Sequence, residues 1–206
     1  MSKKLALQGV LVSHESIYRH PLDDRKSGGF LWKQLRINGT RRYRRRNKVG
    51  RKEKIKGRVD IENRPPEVAP RIRGGDWEAD LIQGAAETGF LLSLYERKSR
   101  VGKFYKLTGK ESVDVAIGTV MTLGNFEVKT ITSDNGLEFA RHGLVNDLLK
   151  SESYFCKPYS SWEKGGVENY NGLVLQYFPK GSDFTEITLE RLQEVEDEIN
   201  NRPDIP

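Results

Sequence analysis

The sequence predicts an α/β domain preceded by a basic extension. Two observations carry this: strand-like runs that give way to helical and strand-like patterns after residue 76, and a charge balance that changes sign near Gly75. Residues 1–75 hold 21 lysines and arginines against 7 acids, whereas residues 76–206 hold 14 against 22, within a net charge of +6. A basic arm on an acidic body suits a polyanionic partner, because phosphates release counterions onto the arm while the body retains the capacity to hold cations. Nucleic acid is the partner this favours.

At the N-terminus, Ser13 is placed to cap a short helix over HESIYRH, 14–20, and Gly9 could form the turn of a helix-turn-helix whose first helix is only stubbed by residues 3–8. A terminal helix with no role on DNA fits these residues equally well. KSGGFLWKQLR, 26–36, leads into a run from Arg41 to Arg58 that holds eleven basic residues against one acid, Glu53. Such a run cannot bury itself, and it reads as a phosphate-tracking arm or as a solvated linker. Tyr43 is its one aromatic, which leaves base stacking little to work with. Pro65, Pro66 and Pro70 then interrupt regular structure. The arm is assigned to residues 1–73 and the compact domain to 74–206.

Within that domain WEADLIQG (77–84), GFLLSLYER (89–97) and VGKFYKL (101–107) are strand candidates joined by short turns, an antiparallel meander. ESVDVAIGTVMTL (111–123) reads as a helix with Val113, Ile117, Val120 and Met121 along one face. Val128 to Thr132 is a buried-strand candidate ending at SDNG, followed by a helix from Leu144 to Lys150 and a short strand at Tyr154 to Cys156. Helices over about 163–177 and 188–200 complete the pattern.

Composition narrows the function classes. No stretch approaches the roughly 18 to 20 apolar residues of a membrane span, and Met1 to Arg19 lacks the apolar block of a secretory signal, so a cytoplasmic location is expected. Cys156 is the sole cysteine, and His14, His20 and His142 show no zinc spacing with it.

Three acids occupy places where elements end or turn: Asp80 in the first strand, Asp134 directly after the fourth, and Glu168 in the helix after KPYSSW. Neighbouring strands and a helix packed over them can bring such carboxylates together. Oxygen ligands suit magnesium or manganese, and two such ions about 3.5 to 4 Å apart support phosphoryl transfer. Pattern alone does not choose the first carboxylate, because Asp76, Glu78 and Asp80 alternate along one side of a strand. Singly, each acid has a bland reading: a strand-edge acid, an Asn-Gly turn at 133–136, and a helix-surface acid paired with Lys164.

Taken together, GDWEADLIQG, TITSDNGLEFARH and YFCKPYSSWEKGGVENYNGLVLQYFPKGSDF resemble the insertion-sequence transposases of the family numbered thirty. The resemblance runs from about residue 10 to 203 and takes in VSHESIYRH, ENRPPEV and EINNRP. It implies a ribonuclease-H-like, integrase-type core: a mixed sheet flanked by helices. In it Asp80 of WEAD, Asp134 of SDNG and Glu168 of VEN would bind divalent metal, Mg2+ or Mn2+ and two ions, and catalyse DNA cleavage and strand transfer. The 33 residues between Asp134 and Glu168 agree with the family's separation. Asn135 and Gly136 would shape the turn presenting Asp134, and Trp162 would pack beneath the Glu168 helix. His142 falls at the edge of the site.

Arg41, Arg42, Arg44, Arg45, Arg46 and Lys48 of the basic run are candidates for DNA contact, with Lys164 and Asn169 nearer the site; Asn171 would touch DNA or cap backbone. The implied partners are element ends and target DNA, with a homo-oligomer during transposition, no membrane, and a nucleoid-associated cytoplasmic location. Family members carry a further N-terminal helix-turn-helix and continue past NNRP, so the chain reads as truncated at both ends. Val167 stands where a polar residue is expected beside the glutamate. The competing readings are a noncatalytic DNA-binding remnant that represses or inhibits an intact transposase and, more distantly, a ribonuclease or junction nuclease of similar fold.

Overall fold

The computed structural model describes residues 9, 11–35, 55–158 and 160–202. Arg41, Arg42, Arg44, Arg45, Arg46 and Lys48 lie outside the described residues. The chain divides into two compact units, residues 1–51 with 201–206 and residues 52–200. In the first, helix α1 (His14–Lys26) starts where Ser13 Oγ accepts the Ser16 amide, and it runs through Pro21 to end six residues beyond the expected span. Asp24 Oδ2 accepts the Leu31 amide at 2.8 Å, and the Arg25 guanidinium lies 4.3 Å from the centre of the Trp32 ring.

The second unit is built on a five-stranded sheet. Its strands are β1 (Asp76–Gln83), β2 (Phe90–Glu96), β3 (Gly102–Leu107), β4 (Thr130–Ser133) and β5 (Glu152–Phe155), in spatial order β3-β2-β1-β4-β5. The first three pair antiparallel as a meander, and β4 and β5 run parallel to β1. This is the mixed sheet expected from the sequence. Parallel pairing requires crossovers, which are supplied by helices α2 (Ser112–Leu123) and α3 (His142–Leu149). Helices α4 (Gly165–Tyr177) and α5 (Leu189–Asn200) follow.

The alternation of β1 sorts its side chains between two cores. Trp77 and Ala79 join Leu92, Leu94, Val115, Ala116, Leu123 and Phe155 on the side that also includes residues of α2 and α3. Ile82 joins Leu91, Tyr95, Val167, Tyr170, Val174 and the apolar side of α5 on the other. The sheet is therefore the middle of three layers. Upstream of Gly74 the chain also packs on this unit: Ile55 belongs to the first core, Val68 is fully buried, and Asp60 bridges Phe155.

One helical face differs from expectation. Val113, Ile117 and Met121 of α2 are 44%, 48% and 68% exposed, whereas Val115, Ala116, Gly118, Thr119 and Leu123 are buried. The reason is close packing on β3, where a Cβ at Gly118 would lie 2.7 Å from Tyr105 Cδ1. Ala116 and Gly118 let the inward face approach the sheet beside Val115 and Leu123, while Val113, Ile117 and Met121 are left outward. Similarly, β4 and β5 are displaced from their expected spans of 128–132 and 154–156, because each strand is bounded by its ladder to a neighbour.

Helix α4 lies on β1 and β2 with Tyr170 as its anchor. That ring stacks on Phe104 at 5.1 Å between centroids and tilts against Tyr95 at 5.8 Å. Gly102 makes this seat possible, since a Cβ there would fall 1.8 Å from Tyr170 Cζ. Tyr170 is fully enclosed and cannot move aside. Gly102→Ala is therefore expected to cost about 2 kcal/mol or more in urea unfolding, an overpacking penalty, whereas Gly143→Ala, with nothing within 4 Å of the added carbon, is neutral or stabilising.

Candidate active site

The alternating acids of β1 all lie on the α4 side of the sheet, and each receives its own cation. Asp76 is fully buried; Arg73 donates to it from Nε at 2.8 Å and from Nη2 at 3.0 Å, and Thr130 Oγ1 donates at 2.7 Å. Glu78, also fully buried, pairs with Arg97 and accepts the Val167 amide from the first turn of α4 at 2.8 Å. Asp80 is the one that reaches solvent, its side chain 22% exposed, and it takes the Lys164 ammonium at 2.7 Å. Burial thus resolves what alternation left open. Asp76 and Glu78 are saturated structural groups, and Asp80 is the acid at the open end of the row.

Register brings Asp134 to Asp80. In the parallel ladder Asp76 pairs with Thr130 and Glu78 with Thr132, so the two strands carry Asp80 and Asp134 forward side by side in the same direction. The turn after β4 is held as the sequence suggested. Gly136 N donates to Asp134 Oδ1 at 2.9 Å, and Asn135 Nδ2 donates to the Cys156 carbonyl at 2.5 Å. The Lys164 ammonium, 2.7 Å from Asp80 Oδ1, is 3.6 Å from Asp134 Oδ2. Asn171 Nδ2 donates to Asp80 Oδ2 at 2.9 Å.

Lys164 therefore serves the two aspartates and not Glu168. Burial pulls its pKa down, but the Asp80 and Asp134 carboxylates outweigh that and hold it above the ordinary lysine value. Glu168 lies one turn before Asn171 and one turn after Lys164, on the helix flank that meets Asp80. Its side chain is exposed and makes no ion pair or hydrogen bond among the described residues. Among those residues no three His, Cys, Asp or Glu side chains cluster closely enough to hold an ion. The structure thus unites two of the three expected carboxylates and leaves the third on the adjacent helical turn.

One further expectation changes. Trp162 is 74% exposed in the 3-10 turn Ser161–Lys164 and does not pack beneath α4, whose own Val167, Tyr170 and Val174 form its buried side. Val167 is apolar because it faces the second core and sends its amide to Glu78. His142 packs edge-on against Phe155 and places Nε2 3.3 Å from the Gly57 carbonyl oxygen. Burial pushes the Cys156 thiol up to about 12, so it stays protonated at neutral pH and is a poor ligand. Sequence reasoning missed Arg97; the signal was present in the buried acid row, which must draw cations from other elements.

The donor set fits a hard divalent cation. Asp80 and Asp134 already converge on one positive charge, and the side-chain oxygens of Asn135 and Asn171 are buried without a hydrogen-bond partner.

Sheet order, crossovers and the apposed aspartates define an α/β protein with a mixed five-stranded sheet between helical layers and two carboxylates meeting at the end of its central strand. No family model matches the chain. It is 44% identical over 200 residues to the transposase of insertion sequence element IS4351 from Bacteroides fragilis, covering 96% of this chain and 61% of that protein. It is 36% identical over 199 residues to the transposase of IS1086 from Cupriavidus metallidurans, covering 93% of this chain and 58% of that one. With transposase InsI of IS30A from Escherichia coli it shares 35% over 166 residues, 79% of this chain and 43% of InsI. Among solved structures it is similar to the catalytic core domain of BIV integrase, at a TM-score of 0.49 and 17% identity, covering 64% of this chain and 87% of that one.

Over nearly its whole length the chain is homologous to insertion-sequence transposases, and it spans about three fifths or less of the relatives' length.

The Glu78–Arg97 pair seats α4, and with it Lys164, Glu168 and Asn171, on β1. Arg97→Met should cost about 3 to 5 kcal/mol in denaturant unfolding, since it strands a buried carboxylate. Glu78→Gln combined with Arg97→Met removes both charges while keeping an acceptor for the Val167 amide, and it should recover at least half of that loss.

Proposed function

We propose that this chain cleaves and rejoins DNA phosphodiesters as a metal-dependent transposase, with Asp80, Asp134 and Glu168 as its catalytic carboxylates. The observation that carries the proposal is the convergence of Asp80 and Asp134 on a single positive charge in a chain homologous to insertion-sequence transposases. Asp80 and Asp134 would hold Mg2+ or Mn2+, and Glu168, exposed one helical turn from the Asp80-bonded Asn171, would join them. A pair of ions bound there supplies charge that stabilises the attacking and leaving oxygens of an in-line displacement.

The protein's own contribution is positional. Asn171 orients Asp80 and the Gly136 amide orients Asp134, each through one carboxylate oxygen. Asn169, exposed on α4 next to Glu168, would contact a DNA strand. The eleven lysines and arginines between Arg41 and Arg58 give a phosphate-binding arm whose affinity for DNA falls steeply with salt. The partners are element ends and target DNA, and paired processing of two ends calls for a homo-oligomer. No helix among the described residues is long and apolar enough to cross a membrane.

The test is joining of a labelled, pre-cleaved DNA end to a plasmid with Mg2+ or Mn2+. Asp80→Asn, Asp134→Asn and Glu168→Gln should each lower joining by about a hundredfold or more, with DNA retention on a filter unchanged. Metal-dependent joining that survives all three substitutions would remove these residues from the chemistry. DNA binding with no joining by the parent chain would favour a noncatalytic DNA-binding protein.

A further inference from the structure

Lys164 is 5% exposed, and it sits in the 3-10 turn Ser161–Lys164, immediately ahead of α4. Each aspartate of the pair has one oxygen committed elsewhere. Asp80 Oδ2 accepts from Asn171 Nδ2 and Asp134 Oδ1 accepts from the Gly136 amide, both at 2.9 Å. The oxygens left for a ligand are Asp80 Oδ1 and Asp134 Oδ2, and these are the two that Lys164 engages, at 2.7 and 3.6 Å.

Two ionised carboxylates one strand apart repel unless a cation lies between them. A lysine ammonium suits that task, since it is a compact charge with three donors on a flexible four-carbon stem. The flexibility also lets it leave without moving the backbone.

We propose that Lys164 is a tethered counter-ion of the Asp80–Asp134 pair: it keeps the two carboxylates apposed before a divalent ion enters, and it must withdraw for the ion to bind. The inference rests on the reading of Asp80 and Asp134 as metal-holding residues. Lysine and metal compete for the same two oxygens, so the apparent metal affinity is reduced by the fraction of molecules in which the ammonium is in place. An ammonium seated in about nine molecules of ten weakens binding about tenfold. The same competition guards the pair, because a neutral side chain at position 164 would leave two facing carboxylates uncompensated.

The experiment is a titration of the full chain with manganese chloride, with free Mn2+ read by electron paramagnetic resonance. The parent, Lys164→Met, and each combined with Asp134→Asn are compared, with folding checked by circular dichroism. Lys164→Met should bind Mn2+ about tenfold more tightly than the parent, and Asp134→Asn should abolish that binding in both backgrounds. Equal or weaker binding by Lys164→Met, still lost with Asp134→Asn, would overturn the counter-ion role while leaving the metal reading intact. No Asp134-dependent binding in either background would overturn both.

A second measurement covers the case in which Lys164→Met does not fold. The side-chain 15N signal of the hydrogen-bonded ammonium, assigned with Lys164→Arg, should be visible in EDTA and lost as Mg2+ is added to the parent. A signal that persists at saturating Mg2+ would overturn the proposal.

Discussion

Neutralising a row of acids on the central strand is the constraint around which this domain is arranged. Asp76, Glu78 and Asp80 project from the same side of β1, and two of them are fully enclosed. A buried carboxylate without a partner is costly, so each must be met by a cation or by donors drawn from another part of the chain. Arg73 comes from the segment just before β1, Arg97 from the end of β2, and Lys164 from the turn before α4. The row therefore ties together elements that are remote in sequence. It also grades from closed to open, since only Asp80 reaches solvent, and the register with β4 sets Asp134 beside it there.

Helix α4 is placed by the same row. Its first turn gives the Val167 amide to Glu78, and Gly166 allows that approach because a Cβ would lie 2.8 Å from Glu78 Oε2. Tyr170 then locks the helix on Phe104 and Tyr95. With the helix fixed in this way, Lys164 and Asn171 reach Asp80, and Glu168 occupies the turn between them. The enclosed acids hold the helix, and the helix brings Lys164, Glu168 and Asn171 to the strand ends.

Much of this was legible in the sequence where local physics and tertiary packing agree. Alternation and turn residues marked β1, β2 and β3, and SDNG announced the tight turn after β4, where Gly136 N meets Asp134. Legibility failed where packing overrode bulk. In α2 the apolar stripe through Val113, Ile117 and Met121 faces outward, because Ala116 and Gly118 permit a closer approach to the sheet than larger side chains would. At the site, the motif resemblance singled out Asp80, Asp134 and Glu168. That Lys164 belongs to the aspartates, and Glu78 to Arg97, depends on long-range geometry: the acid row signals that cations are needed, and local pattern does not say which. Trp162 shows the converse, an aromatic in a motif that is nevertheless on the surface.

The measurement that bears most directly on the Asp80–Asp134 pair as a cation site is anomalous diffraction from crystals of the full chain saturated with Mn2+. An anomalous peak bounded by Asp80 Oδ1 and Asp134 Oδ2, with Glu168 turned toward it, is the expected result. Mn2+-saturated crystals with no peak between those aspartates, and with both carboxylates still held by Lys164, would contradict it.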